Sequence, residues 1–248
     1  MNDVPKSHPR YLSLKTRDKI VKGIDKGVTS IHGLLAHGRG EAFDYLIGEK
    51  TNDFAKKAID AASAMLLTAK HPVISVNGNA AALAGKGIVR LSKVIPAAIE
   101  VNIFHTSRKR ERAIKKELIR QGAKKVLIPS KKHHIKHIEH NRKFVNKDGI
   151  YSADVVFVPL EDGDRCEALI NNGKKVIAVD LNPMSRTAKT ASITIVDNIA
   201  RVMKAINERA VLLKRKDKTY LKKIIISYGN KTILKQARDK IRKNLQKH

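Results

Sequence analysis

Tryptophan is missing from this chain, and cysteine occurs once. A lone thiol, Cys166, closes no intrachain disulfide, so the chain is not a small disulfide scaffold. Aromatic residues make up only 4% of the sequence, which leaves the core to Ile, Val, Leu and Ala. No run of about 18 uncharged apolar residues occurs, so no membrane-spanning helix is expected. The opening MNDVPKSHPR lacks the apolar stretch of a secretory signal. These absences suit a cytoplasmic protein. Acids are scarce as well: 23 Asp and Glu stand against 51 Lys and Arg, a net charge of +28. Such a balance invites a nucleic-acid reading. Against it, lysines recur on nearly every expected helix, and basic runs with interleaved aromatics are missing. A solvated basic surface, fitted to a salty cytosol, a hot habitat or a polyanionic substrate, accounts for the charge without nucleic acid.

Hydrophobic residues are 42% of the 248, enough for a core of useful size. No internal repeat or linker divides the chain, so one domain is expected over 1–248. Its layout reads as a helical region over 1–70, an α/β core over 71–214 and a basic helical tail over 215–248. Residues 10–26 carry an amphipathic pattern with Leu12, Leu14, Ile20, Val21 and Ile24 as the apolar stripe. Thr51 reads as the N-cap of a helix reaching Lys70, with Asp53 at its positive end. The period then changes. Short apolar runs at 73–76, 98–104, 125–128, 154–158, 175–179 and 192–196 read as strands. Helical patterns at 109–121, 160–172 and 198–214 lie among them. Strands alternating with helices predict an α/β fold with a mostly parallel sheet flanked by helices. The tail, 219–247, reads as helix.

Three stretches carry chemistry. In SIHGLLAHGRGEAFDYLIGEKT, residues 30–51, Gly33, Gly38, Gly40 and Gly48 crowd around charged side chains. Each glycine costs about 1 kcal/mol in a helix interior, so the expectation is an anion-handling loop, with Arg39 as its charge and Glu41 as a nearby acid. The competing reading is a structural turn with Arg39 in water. A strand ending at Val76 runs into Asn77, Gly78 and Asn79 and then an Ala-rich helix, an arrangement that points backbone N–H groups at an anion; a tight turn explains it as well. Farther on, two strands end in Asp180-Leu181-Asn182 and Asp197-Asn198, with Arg186 and Thr187 in the loop between them. Ligands of open α/β sheets bind at that carboxyl edge. Glu161, Asp162 and Asp164 mark a third strand end, where capping is the plain alternative. The segment 129–150 is rich in histidine, and His133, His137 and His140 have helical metal-ligand spacing. No Cys or acid completes a ligand set, so a solvated connection is expected there. Cys166 has no His nearby in sequence and reads as core.

SIHGLLAHGRGEAFDYLIGEKT, VISVNGNAAAL, ADVVFVPLEDGDR and VIAVDLNPMSRTA resemble the archaeal phosphopantothenate synthetase family, the 4-phosphopantoate–β-alanine ligases. The resemblance runs from His8 to about Ala210 and leaves out the His-rich stretch and the basic tail. It implies a homodimer with a Rossmann-like core. It also implies an ATP-dependent ligase of coenzyme A biosynthesis that makes 4'-phosphopantothenate, AMP and diphosphate. Carried over by motif, nucleotide contacts would come from Arg17, Arg39, Asp180, Leu181, Asn182, Arg186, Thr187, Asn198 and Ile199. By position, and not by that carry-over, Asn77, Gly78 and Asn79 would hold 4-phosphopantoate; Glu41 or His37 would orient the amine of β-alanine or accept its proton, and Mg2+ would sit on the phosphates. The alternatives are another nucleotide-using enzyme on the same scaffold, or a basic nucleic-acid-binding protein.

Overall fold

Residues 4–8, 10–105 and 107–246 are described by the computed structural model. Three helices come first: α1 (Tyr11–Asp25), α2 (Ile31–Ile47) and α3 (Asp53–Thr68). The core follows as β1 (Pro72–Val76), α4 (Gly78–Val94), β2 (Ala98–Val101) and α5 (Arg108–Arg120). A small antiparallel pair, β3 (Ser130–His134) and β4 (Phe144–Val145), interrupts it. Then come β5 (Val155–Pro159), α6 (Gly163–Asn171), β6 (Lys175–Val179), α7 (Arg186–Thr190), β7 (Ile193–Ile195) and α8 (Ile199–Leu213). The tail forms α9 (Lys218–Ile226) and α10 (Asn230–Leu245).

The main sheet has the order β2-β1-β5-β6-β7, and all of its pairs are parallel. The central strands β1, β5 and β6 are largely apolar runs because both faces of the sheet are covered, while β2 carries the buried Glu100 and β7 the buried Thr194. Ile74, Val76, Phe157, Ile177 and Val179 face one core with α3, α4 and α8. Their neighbours Val73, Val156, Val158, Val176 and Ala178 face a second core that contains Cys166, Leu169 and Ile150. The thiol of Cys166 is wholly buried there, and burial pushes its pKa up to about 12. The strand order reverses between β1 and β5. A crevice opens there at the carboxyl edge, the usual place for a ligand in an open α/β sheet.

Several sequence expectations are corrected. The HGRG stretch is not a loop: it lies inside α2. Buried Glu41, Asp44 and Ile47 anchor that helix, and tertiary packing offsets the glycine cost. Thr51 is not an N-cap. Asn52 precedes α3, while the Thr51 hydroxyl donates to Asp197 at 2.6 Å. Residues 125–128 form no full strand; Leu127 makes one parallel bridge to Glu100 at the sheet edge. On α1, Leu12 is 65% exposed and Val21 46%, so the apolar stripe narrows to Ile20, with Ile24 half-buried. The tail is helical as expected, as two helices with a break at Gly229, and Lys247 lies outside the described residues. It packs on the body: Asn230 donates to the carbonyls of Ala188 and Ala191, and Asn244 to that of Leu46.

Candidate active site

A cavity of about 350 Å³ occupies the carboxyl edge of the sheet. Its floor is the first turn of α4. Asn77 caps this helix, accepting from the Ala80 N–H at 2.9 Å and donating to the Leu160 carbonyl at 2.7 Å. The side chain of Asn79 is equally engaged, accepting from the Thr29 hydroxyl at 2.5 Å and donating to the Gly33 carbonyl at 2.7 Å. Both amides therefore build the wall. The free donors are the N–H groups of Gly78 and Asn79, in the first helical turn, where no intrahelical partner exists. Glycine is needed at two places here. A Cβ on Gly78 would strike the Val28 carbonyl, and one on Gly33 would strike Asn79 and Thr29. The glycines of α2 and α4 thus let two backbones close on one another.

α2 forms the roof and presents His37, Arg39, Gly40 and Glu41 to the cavity. Glu41 is buried, and Arg17 Nε donates to it at 2.8 Å and Tyr45 Oη at 2.5 Å. Burial alone would raise its pKa, but these donors and the Arg17 charge outweigh burial and hold Glu41 below the usual carboxylate range. The hydrogen bond to Glu41 in turn raises the pKa of Arg17. His37 behaves oppositely. Burial lowers its pKa and Arg17 adds to the effect, while Glu41 opposes it; its Nε2 is enclosed without a hydrogen-bond partner. The imidazole is therefore neutral at pH 7.

The far wall brings Leu181, Asn198 and Ile199 into the same cavity. Leu181 Cδ1 lies 3.7 Å from where a Cβ on Gly40 would be, so the HGRG and DLNPMSRT stretches meet. Asn198 caps α8 through the Ala200 N–H at 3.0 Å and donates to Asp44 of α2 at 2.9 Å. Arg201 ties Asp44 to Asp197 and locks the arrangement. Asp180, Asn182, Arg186 and Thr187 follow Leu181 on the adjoining turn, and their side chains do not line the cavity. Asp180 accepts from Ser185 Oγ at 2.5 Å and from the Asn182 N–H at 2.9 Å; burial raises its pKa against these bonds. Thr187 is buried and donates to the Glu161 carbonyl at 2.8 Å. Arg186 packs against Gly163 at the start of α6.

Several lining residues were not read from the sequence. Arg142, only 3% exposed, donates through Nε to Asn102 Oδ1 at 2.9 Å and pairs with Glu161 and with Asp162 at 2.6 Å. Glu161 also pairs with the fully buried Arg165. Burial would raise the pKa of Glu161, but the two guanidinium groups hold it below the usual range. For Asp162 burial prevails, and its pKa is raised. Beyond β2 the wall is His32, Phe104, His105 and Arg110. The His32 and His105 rings are 5.0 Å apart, and Phe104 stacks on His140 at 4.0 Å. The histidine segment is therefore no metal helix: it holds β3 and turns, and among the described residues no group of three His, Cys, Asp or Glu forms a metal cluster. No local pattern announces Arg142, because its acidic partners come from another strand end. Arg110 sits in RKRER, where one basic residue looks like the next.

The family described as phosphopantothenate/pantothenate synthetase matches residues 54–244. A 4-phosphopantoate–β-alanine ligase of Methanosarcina mazei is 49% identical over 246 residues, 99% of this chain and 97% of its own. A protein of the same name from Thermococcus kodakarensis is 50% identical over 233 residues, covering 93% and 88%. One from Methanospirillum hungatei is 46% identical over 242 residues, covering 98% of each.

Proposed function

This chain belongs to the phosphopantothenate/pantothenate synthetase family, and from that premise we propose that it joins 4-phosphopantoate to β-alanine with ATP in coenzyme A biosynthesis. The observation that carries the reading is the meeting of Arg39, the first turn of α4 and the residues after β6 and β7 around one cavity. The acid and the nucleotide are both anions and repel each other. A site that joins them must supply positive charge and donors where the new charge develops.

The nucleotide lies on the β6–β7 side, against Leu181, Asn198 and Ile199, with Arg39 over its phosphates. Arg17 holds Glu41 and so steadies α2 above it. Asp180, Asn182, Arg186 and Thr187 shape the turn on which Leu181 stands. Magnesium would enter with ATP, bound mainly by the phosphates, and would offset their charge. The Gly78 and Asn79 N–H groups hold the reacting carboxylate, with the Asn77 and Asn79 side chains bracing them. A carboxylate oxygen attacks the α-phosphate, forming an acyl-adenylate, and diphosphate leaves. The β-alanine nitrogen then attacks the acyl carbon, forming the amide, and AMP leaves. A proton must depart from that nitrogen. Neutral His37 is suited to take it, whereas Glu41 is committed to Arg17 and Tyr45.

We assign the enzyme to the cytoplasm on its proposed metabolic role; no helix among the described residues is long and apolar enough to cross a membrane. We also assign it a homodimeric state, for which exposed Leu12, Ile31 and Leu35 on α1 and α2 supply apolar surface. The test is a product assay. ATP, 4-phosphopantoate and β-alanine yield AMP in step with the amide. Formation of ADP would replace the adenylate with an acyl phosphate, and no nucleotide consumption would reject the ligase reading.

A further inference from the structure

We infer that Arg110, flanked by His105 and His32, forms a separate subsite at the β2 end of the cavity that holds the phosphate monoester of the acid substrate. The inference rests on the ligase reading above and adds a residue that discriminates the phosphorylated acid from its free alcohol.

Charge pairing inside the cavity leads to it. Glu41 is neutralised by Arg17, and Glu161 and Asp162 by Arg142 and Arg165 together. Two lining guanidinium groups, Arg39 and Arg110, form no ion pair among the described residues. They sit at opposite ends. Arg39 adjoins Gly40, which faces Leu181 after β6. Arg110 is in the first turn of α5 and reaches the His105 carbonyl, just beyond β2, at 3.4 Å. Strands β1 and β5 separate β2 from β6, so the two ends are three strand spacings apart, about 14 Å.

One arginine at each end suits two phosphate-bearing substrates. The acid's length supports this division. Five covalent bonds separate its carboxylate carbon from its phosphorus, an extended span of roughly 6 Å. With phosphate at Arg110, its carboxylate therefore falls near the β1–β5 crevice, over the α4 N–H groups, where the α-phosphate arrives from the other side. The flanking imidazoles, 5.0 Å apart, add ring donors to the same corner. A guanidinium grips phosphate oxygens with paired hydrogen bonds that an alcohol cannot replace.

The experiment compares steady-state kinetics of the wild-type enzyme, Arg110→Ala and Arg39→Ala. Each is assayed with 4-phosphopantoate and with pantoate. Arg110→Ala raises the KM for 4-phosphopantoate about 10- to 100-fold and cuts the preference over pantoate by a similar factor, while the KM for ATP stays within about twofold. Arg39→Ala shows the reverse pattern. Arg110→Gln, which keeps a hydrogen-bonding side chain without charge, repeats the loss and covers the case in which alanine disturbs α5. Wild-type turnover with unchanged preference in both Arg110 variants overturns the subsite. So does an effect confined to the KM for ATP. A wild-type enzyme that makes no AMP refutes the ligase reading instead, and the subsite falls with it.

Discussion

Glu100 makes the stability of this protein depend on pH in a direction opposite to that of an ordinary carboxylate. It lies on β2, fully buried, and accepts the Asn146 N–H at 2.9 Å and the Ile150 N–H at 2.7 Å. Burial raises its pKa from 4.5 to about 7, against the pull of those donors and of Arg165 and Lys174. With the folded pKa above the unfolded one, the native state binds the proton more tightly. The stabilising contribution is complete below about pH 4.5 and is lost as pH rises through 7. A gap of roughly 2.5 units, at about 1.4 kcal/mol each, removes about 3–4 kcal/mol across that window. Glu100→Gln cannot titrate. Its NH2 faces a backbone N–H donor where the protonated carboxyl still offers a hydroxyl oxygen, so the variant is less stable than wild type at pH 5. That deficit shrinks by about 2–3 kcal/mol on going to pH 8. Urea unfolding of both proteins at intervals from pH 5 to pH 8, at fixed salt, measures it. Subtraction removes Asp162 and Asp180, whose raised pKa values act in the same sense in both proteins. A stability difference that stays constant with pH would refute the reasoning.

Three further outcomes are expected. Arg39→Ala loses about 10²–10³ in kcat/KM, the scale of one lost charge-stabilising donor; the side chain is exposed, so the thermal midpoint stays unchanged. Retention of wild-type turnover would remove Arg39 from the site. Arg142→Met leaves buried Glu161 with one partner fewer and costs about 3–5 kcal/mol by denaturant titration; a stability within error of wild type would mean that Arg165 alone suffices. For His37 the sign follows from burial. Its lowered pKa keeps the base neutral below pH 6.5, so the acid limb of kcat/KM lies below that value. His37→Gln abolishes the limb and cuts kcat about 10²-fold, and a limb unmoved in the variant would assign the proton to another group.

The sequence by itself determined the α/β class, the alternation of the main-sheet strands with helices and the carboxyl-edge position of the candidate site. Each follows from local pattern: VISV, VVFVP and VIAV are runs that fit a doubly covered parallel strand, and Asn77, Leu160-Glu161-Asp162 and Asp180 after them mark strand-to-helix turns. Tertiary structure alone decided that HGRG is helical. The glycine cost there is offset by Glu41, Asp44 and Ile47 docking on residues far away in the chain, and Gly33 is required by Asn79 rather than by its own backbone. It likewise decided which of 51 basic residues matter. Arg142 and Arg110 are distinguished by what stands opposite them, the buried carboxylate of Glu161 and half-exposed Asp162 for one and no acid among the described residues for the other. Charge pairing is a property of three-dimensional neighbours, and a linear pattern does not contain it.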